Sequence, residues 1–157
     1  MTGIGVTGHQ DLPDSALGYV TAGIREILAG FTDVVGYSSL AAGADQLFAS
    51  EVLAAGGRLH VVIPADGYAM TLSGEAADAY HRFLAAAAGI TRLRFAVPGE
   101  AAYEAAGRWI AEHSDLLIAV WDGEPARGRG GTADAVAHAR RLDREVRIVW
   151  PAGLKRG

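Results

Sequence analysis

Three stretches of the chain gather the residue types that hold anions and sugar hydroxyls. The first is Gly8-His9-Gln10-Asp11-Leu12. Gly8 permits close backbone approach to a ligand, and His9 and Gln10 supply side-chain donors; the plainer alternative is a glycine turn carrying a surface histidine. The second is Ser38-Ser39-Leu40-Ala41-Ala42-Gly43-Ala44-Asp45. A loop of small residues running into a helix offers free backbone N–H groups and the positive end of the helix dipole to an anion. Asp45 either caps that helix or accepts a hydrogen bond from a ribose or base. The third carries the strongest signal: Asp122-Gly123-Glu124-Pro125-Ala126-Arg127-Gly128-Arg129-Gly130-Gly131-Thr132-Ala133-Asp134. Its glycines let the backbone wrap a phosphate, to which the Thr132 hydroxyl and the helix amides can donate. Arg127 and Arg129 can close over a phosphate or diphosphate. The plainer alternative is a glycine-rich connector with Thr132 as an N-cap. Asp122 and Asp134 are the candidate catalytic carboxylates, since two acids can perform acid/base work on a glycoside; otherwise they bind ribose hydroxyls or cap helices.

Other chemistries fall away. The chain has 157 residues, no cysteine, and a single lysine, Lys155, near its end. Thiolate metal sites, a cysteine nucleophile and the lysine of a P-loop are therefore excluded. The five histidines lack ligand spacing, and no G-x-S-x-G or H-E-x-x-H occurs; neither a metal nor a cofactor is expected. Gly3, Gly5 and Gly8 spell G-x-G-x-x-G, but only Met1-Thr2 precede them, and Ser38-Ser39 stand where a ribose-binding acid would follow the second strand. A net charge of −4 argues against a general nucleic-acid binder. His60 and His138 read as structural, Trp109, Trp121 and Trp150 as core or interface, and Arg140, Arg141, Arg144 and Arg147 as a solvated face. With no basic leader and no apolar run approaching 18 residues, the chain is expected to be soluble and cytoplasmic.

The elements that must position these loops alternate. Strands are expected at Ile4–Thr7, Asp33–Ser38, Leu59–Ile63 (ended by Pro64), Arg92–Val97, Leu116–Trp121 and Val146–Trp150. Helices are expected from Asp14, as N-cap, along the stripe Leu17, Val20, Ile24, Ile27, Leu28 and Phe31, and over Ala44–Ala55, Ala76–Ala88, Glu100–His113 and Thr132–Leu142. Ala65–Glu75 reads as a loop. The alternation predicts an α/β, Rossmann-like three-layer sandwich: a mostly parallel sheet of about six strands flanked by helices, forming one domain over 1–157. Ligands of such sheets bind beyond the carboxyl ends of the strands, where the strand order reverses.

Gly5-Val6-Thr7-Gly8-His9, Ser39–Asp45, Asp115–Gly123 and Gly130-Gly131-Thr132-Ala133-Asp134 resemble, in order along nearly the whole chain, the SLOG superfamily of Rossmann-like domains. That group includes the Smf DNA-processing proteins, the lonely-guy phosphoribohydrolases and nucleotide-sensing domains. The resemblance implies a nucleotide or nucleotide-derived ligand such as AMP, ADP-ribose or an NAD-related molecule. Its phosphate would sit on the Gly131-Thr132 helix and the Ser39–Gly43 loop. It also implies a homo-oligomer. The implied ligand-binding set is Gly8, His9, Ser38, Ser39, Gly43, Asp45, Asp122, Gly123, Arg127, Arg129, Gly130, Gly131 and Thr132. One departure matters: the lonely-guy motif Gly-Gly-x-Gly-Thr-x-x-Glu ends on the glutamate that serves N-glycosidic cleavage, and Ala135 fills that slot. Asp134 stands one residue early, about 100° around the helix. Binding or sensing is thus expected ahead of nucleotide N-glycosidase chemistry, with single-stranded DNA binding behind both.

Overall fold

The structure, a computed structural model, describes residues 1–125 and 131–155. Six strands, β1 (Thr2–Gly8), β2 (Val34–Ser38), β3 (Arg58–Ala65), β4 (Gly89–Phe95), β5 (Leu116–Val120) and β6 (Glu145–Ile148), form one sheet in the order β4-β3-β2-β1-β5-β6. Every pairing is parallel. The helices are α1 (Asp14–Ala29), α2 (Ala44–Ala54), α3 (Gly74–Ala86), α4 (Glu100–His113) and α5 (Thr132–Arg141), with a short 3-10 helix at Tyr68–Thr71. The chain steps outward from β1 to β4, then returns to the other side of β1. Right-handed crossovers therefore put α1, α2 and α3 on one face and α4 and α5 on the other, giving the expected three layers.

The strand side chains divide accordingly. Ile4, Val6, Leu116, Ile118 and Val120 pack with Val20, Ile24, Phe48 and Val52 of α1 and α2. Val62 and Leu117 pack on the opposite face with Ala106, Ile110 and Ala139 of α4 and α5. β5 is buried at all five positions, as a central parallel strand must be. The G-x-G-x-x-G glycines serve this packing. A Cβ on Gly8 would collide with the Ala44 Cβ of α2 and stand 2.8 Å from that of Val120; one on Gly5 would strike Ser114 and Ile110 on the α4 side.

Several boundaries differ from the sequence expectation. In α1, Pro13 rather than Asp14 occupies the N-cap position, its φ of −56° and extended ψ of 142° setting the turn. The buried row is Ala16, Val20, Ile24 and Leu28, while Leu17 is exposed. Pro64 continues β3 instead of ending it, because the β3–β4 register shifts between Ile63 and Ala65 and no ladder bond is asked of the proline. Gly89 starts β4 rather than stopping a helix. It pairs with His60, and a Cβ there would lie 2.6 Å from the His60 imidazole. The strand consequently runs Gly89–Phe95 rather than 92–97, and α3 begins at Gly74. No helix among the described residues is long and apolar enough to cross a membrane.

Candidate ligand-binding site

The parallel strands bring all their carboxyl ends to one edge, and the order reverses between β1 and β5. A cleft of about 780 Å³ opens there. Its walls are the loop after β1, the loop after β2, the 3-10 segment after β3, the amino end of α5 and one side of α4.

The first two loops are built against each other. The Ala44 amide donates to the His9 carbonyl at 3.2 Å, and Gly43 takes φ +83° where a Cβ would run into the carbonyls of Gln10 and His9. Gly43 thus holds the loops together and lies outside the main cleft wall. Ser38 is fully buried; its hydroxyl donates to the Asp45 carbonyl at 3.1 Å and accepts the Leu40 amide at 3.0 Å. The Asp45 carboxylate accepts the Ala41 amide at 3.2 Å. Much of the second loop's N–H capacity is therefore spent inside the loop; Ser39, Ala41, Ala42 and Asp45 are the members of this motif that reach the cleft, with Ser39 and Asp45 supplying its polar side chains. Burial pushes the Asp45 carboxyl up to about 7, against hydrogen bonds from Ala41 and Ser39 that favour its charged form.

His9 lines the cleft and is itself buried. Its Nε2 accepts the Asp122 amide at 3.1 Å and stands 3.3 Å from Asp122 Oδ1, while its ring meets Trp150 edge-on at 5.3 Å. The accepted amide requires a bare Nε2, and the ion pair requires a protonated one, so the two contacts belong to different protonation states. In either state His9 ties the β1 loop to the mouth of β5. Asp122 is occupied structurally as well: its side chain is only 4% exposed, and Oδ1 accepts the Glu124 amide at 3.0 Å. Gly123 follows with φ +86° in the same turn.

Gly131 and Thr132 stand in the cleft wall at the start of α5. Asp134 and Ala135 give their amides to the Gly131 carbonyl, whereas those of Thr132 and Ala133 have no partner among the described residues. Asp134 is exposed and, like Asp122, is not part of the cleft lining. Ala135 is buried, with its Cβ 3.7 Å from where a Cβ on Gly107 of α4 would stand. Arg127, Arg129 and Gly130 lie outside the described residues. Among the described lining residues the formal charges are all acidic, on Asp11, Asp45 and Glu100.

Sequence reasoning missed the far wall. Tyr68 lies in a segment read as plain loop, and Tyr103 in the helix expected over Glu100–His113, where no site residue was placed; both line the cleft. Their rings meet edge-on at 6.2 Å, and Tyr68 packs likewise on Tyr80 at 5.9 Å. The available signal was position: Tyr68 follows the carboxyl end of a predicted parallel strand, as the other three loops do.

No family model matches the chain, and no curated protein matches it in sequence. Solved structures do match. DNA processing protein A (DprA) from Streptococcus pneumoniae superposes over 99% of this chain and 52% of its own length, with a TM-score of 0.72 at 18% identity. The chain thus spans about half the length of that protein. Helicobacter pylori DprA, described for its single-stranded DNA binding mode, gives 0.71 at 15% identity over 99% of this chain and 68% of its own. The molybdenum cofactor binding protein from Rippkaea orientalis gives 0.62 at 15% identity, over 96% of this chain and 77% of its own. At these identities the likeness is one of fold: the chain shares the Rossmann-like α/β architecture of these structures.

Proposed function

We propose that this chain binds and senses a nucleotide or nucleotide-derived molecule, of the AMP, ADP-ribose or NAD-related kind, in the cleft at the carboxyl edge of the sheet. The observation that carries the reading is the cleft itself: it lies at the reversal point between β1 and β5, with the amide-bearing start of α5 in its wall. The anionic end of the ligand is assigned to Gly131 and Thr132, with Arg127 and Arg129 as the sequence's nearby cations. Gly8, His9, Ser39 and Asp45 are its other contacts, while Ser38, Gly43, Asp122 and Gly123 shape the loops that present them. Binding is favoured over turnover because Ala135 puts a methyl group where the related hydrolases carry their acid, and because neither Asp122 nor Asp134 lines the cleft. A cofactor-binding protein and a single-stranded-DNA-binding protein share this fold, which supports a binding role without choosing the ligand.

A thermal-shift panel of AMP, ADP-ribose, NAD and ribose 5-phosphate tests the reading. A true ligand at a hundredfold excess over Kd adds ~2.7 kcal/mol of stability, and Thr132→Ala should weaken its binding several-fold. Incubation with the same nucleotides should release no free base. Absence of any shift, or affinity confined to oligonucleotides and falling steeply with salt, would overturn the proposal; base release would replace sensing with hydrolysis.

A further inference from the structure

The cleft has two chemically different ends. At one, α5 presents amides that have no partner among the described residues. At the other, Asp45, Tyr68 and Tyr103 present a carboxyl group and phenols, and Glu100 and Asp11 stand at the rim. Tyr68 is the telling residue. Only 5% of it remains accessible, and it forms part of the cleft wall, yet its hydroxyl makes no hydrogen bond among the described residues; the Thr71 hydroxyl donates to its backbone carbonyl instead. Burial and the neighbouring Asp45 carboxylate raise its pKa, so the phenol stays neutral and keeps its proton. Although the residue as a whole is buried, its hydroxyl is not among the buried, unpartnered atoms of the described residues and so opens onto the cleft. Held by its packed ring and near enough to Asp45 to feel its charge, it offers one donor and one acceptor to whatever enters.

Resting on the nucleotide reading above, we infer that Asp45 and Tyr68 form the base subsite, and that it selects heterocycles carrying an exocyclic amino group. A phosphate does not suit this end, because the charges that face it are negative. An amino group does: Asp45 keeps lone pairs beyond those used by the Ala41 and Ser39 amides, and the Tyr68 hydroxyl can either accept from the amino group or donate to an adjacent ring nitrogen. Once Asp45 is ionised, above about pH 7, a base with a carbonyl in place of the amino group would set oxygen against carboxylate oxygen. Sites built on buried hydrogen-bonding groups reject such analogues strongly, since their own groups are then left unpaired.

The test is isothermal titration, at a pH well above the Asp45 value of about 7, of matched pairs: AMP against IMP, and CMP against UMP, with ribose 5-phosphate as the base-free reference. The amino member of each pair should bind about ten-fold more tightly, the size expected for one hydrogen bond to a charged acceptor. Tyr68→Phe removes only the unpartnered hydroxyl, so the fold should be kept while the preference shrinks several-fold. Asp45→Asn should reduce it further, and circular dichroism of that variant reports whether the α2 loop survives. Equal affinity within both pairs, with ribose 5-phosphate still bound, would overturn the base subsite and leave the nucleotide reading standing. Failure of every phosphorylated nucleoside and of ribose 5-phosphate to bind would overturn both.

Discussion

Asp45 accepts the Ala41 amide at 3.2 Å in the first turn of α2, where the helix dipole favours its charge, yet burial outweighs both and lifts its carboxyl to about 7. In the unfolded chain the same group titrates near ~3.9. The folded state therefore holds this proton more tightly, and the associated stability is fully present below the unfolded value and is lost as pH rises to about 7. His60 runs the other way. Burial, aided by His113, lowers its pKa from 6.5, so stability is lost as pH falls through the ordinary histidine range. Urea denaturation of wild type and Asp45→Asn between pH 5 and 8.5 separates them. The wild type should lose stability relative to the variant as pH rises toward 7, and the difference should level off above it.

At the scale of elements, glycines decide how closely helices approach the sheet. Gly8 meets both α2 and β5, and the atoms a methyl would strike are backbone-anchored Cβ atoms that cannot swing aside. Gly8→Ala should cost about 1–3 kcal/mol by overpacking. Gly18, exposed in α1 with nothing within 4 Å of the position a methyl would take, provides the contrast: Gly18→Ala should stabilise by ~0.4–1 kcal/mol. Chemical denaturation of the two variants side by side checks both signs. Element identity was legible because apolar periodicity is local: the α1 row, the Leu116–Val120 run and the Glu100–His113 helix all stand close to where the pattern places them. Boundaries at Pro64 and Gly89 were not, because both depend on the partner strand. Proline is tolerated only where the β3–β4 register breaks, and the glycine is required only because His60 lies beside it.

At the scale of the whole molecule, the sheet ends in two open edges. β4 carries exposed Arg92 and Arg94, and β6 carries Arg147 beside Glu145 at 2.9 Å. Charges on edge strands oppose pairing with the edge of another copy. Arg92→Val with Arg94→Val should lower solubility and raise light scattering on mild heating, while the far-UV spectrum stays that of the parent.

The amino-acid sequence by itself determined the chemistry on offer and its order: no thiol, no lysine before residue 155, strand and helix alternating, and glycine- and hydroxyl-rich loops at strand ends. Those properties follow from composition and short-range periodicity, which need no partner to be read. Only the tertiary structure decided which of the loop residues reach the cleft. Ser38, Gly43 and Asp122 turned inward to satisfy neighbouring amides or to let two loops touch, whereas Tyr68 and Tyr103, silent in the sequence, came to line its far wall. The reason is geometric. A side chain's hydrogen bonds and burial depend on elements far away in the chain, and those are set when right-handed crossovers fold α1–α3 onto one face of the sheet and α4–α5 onto the other.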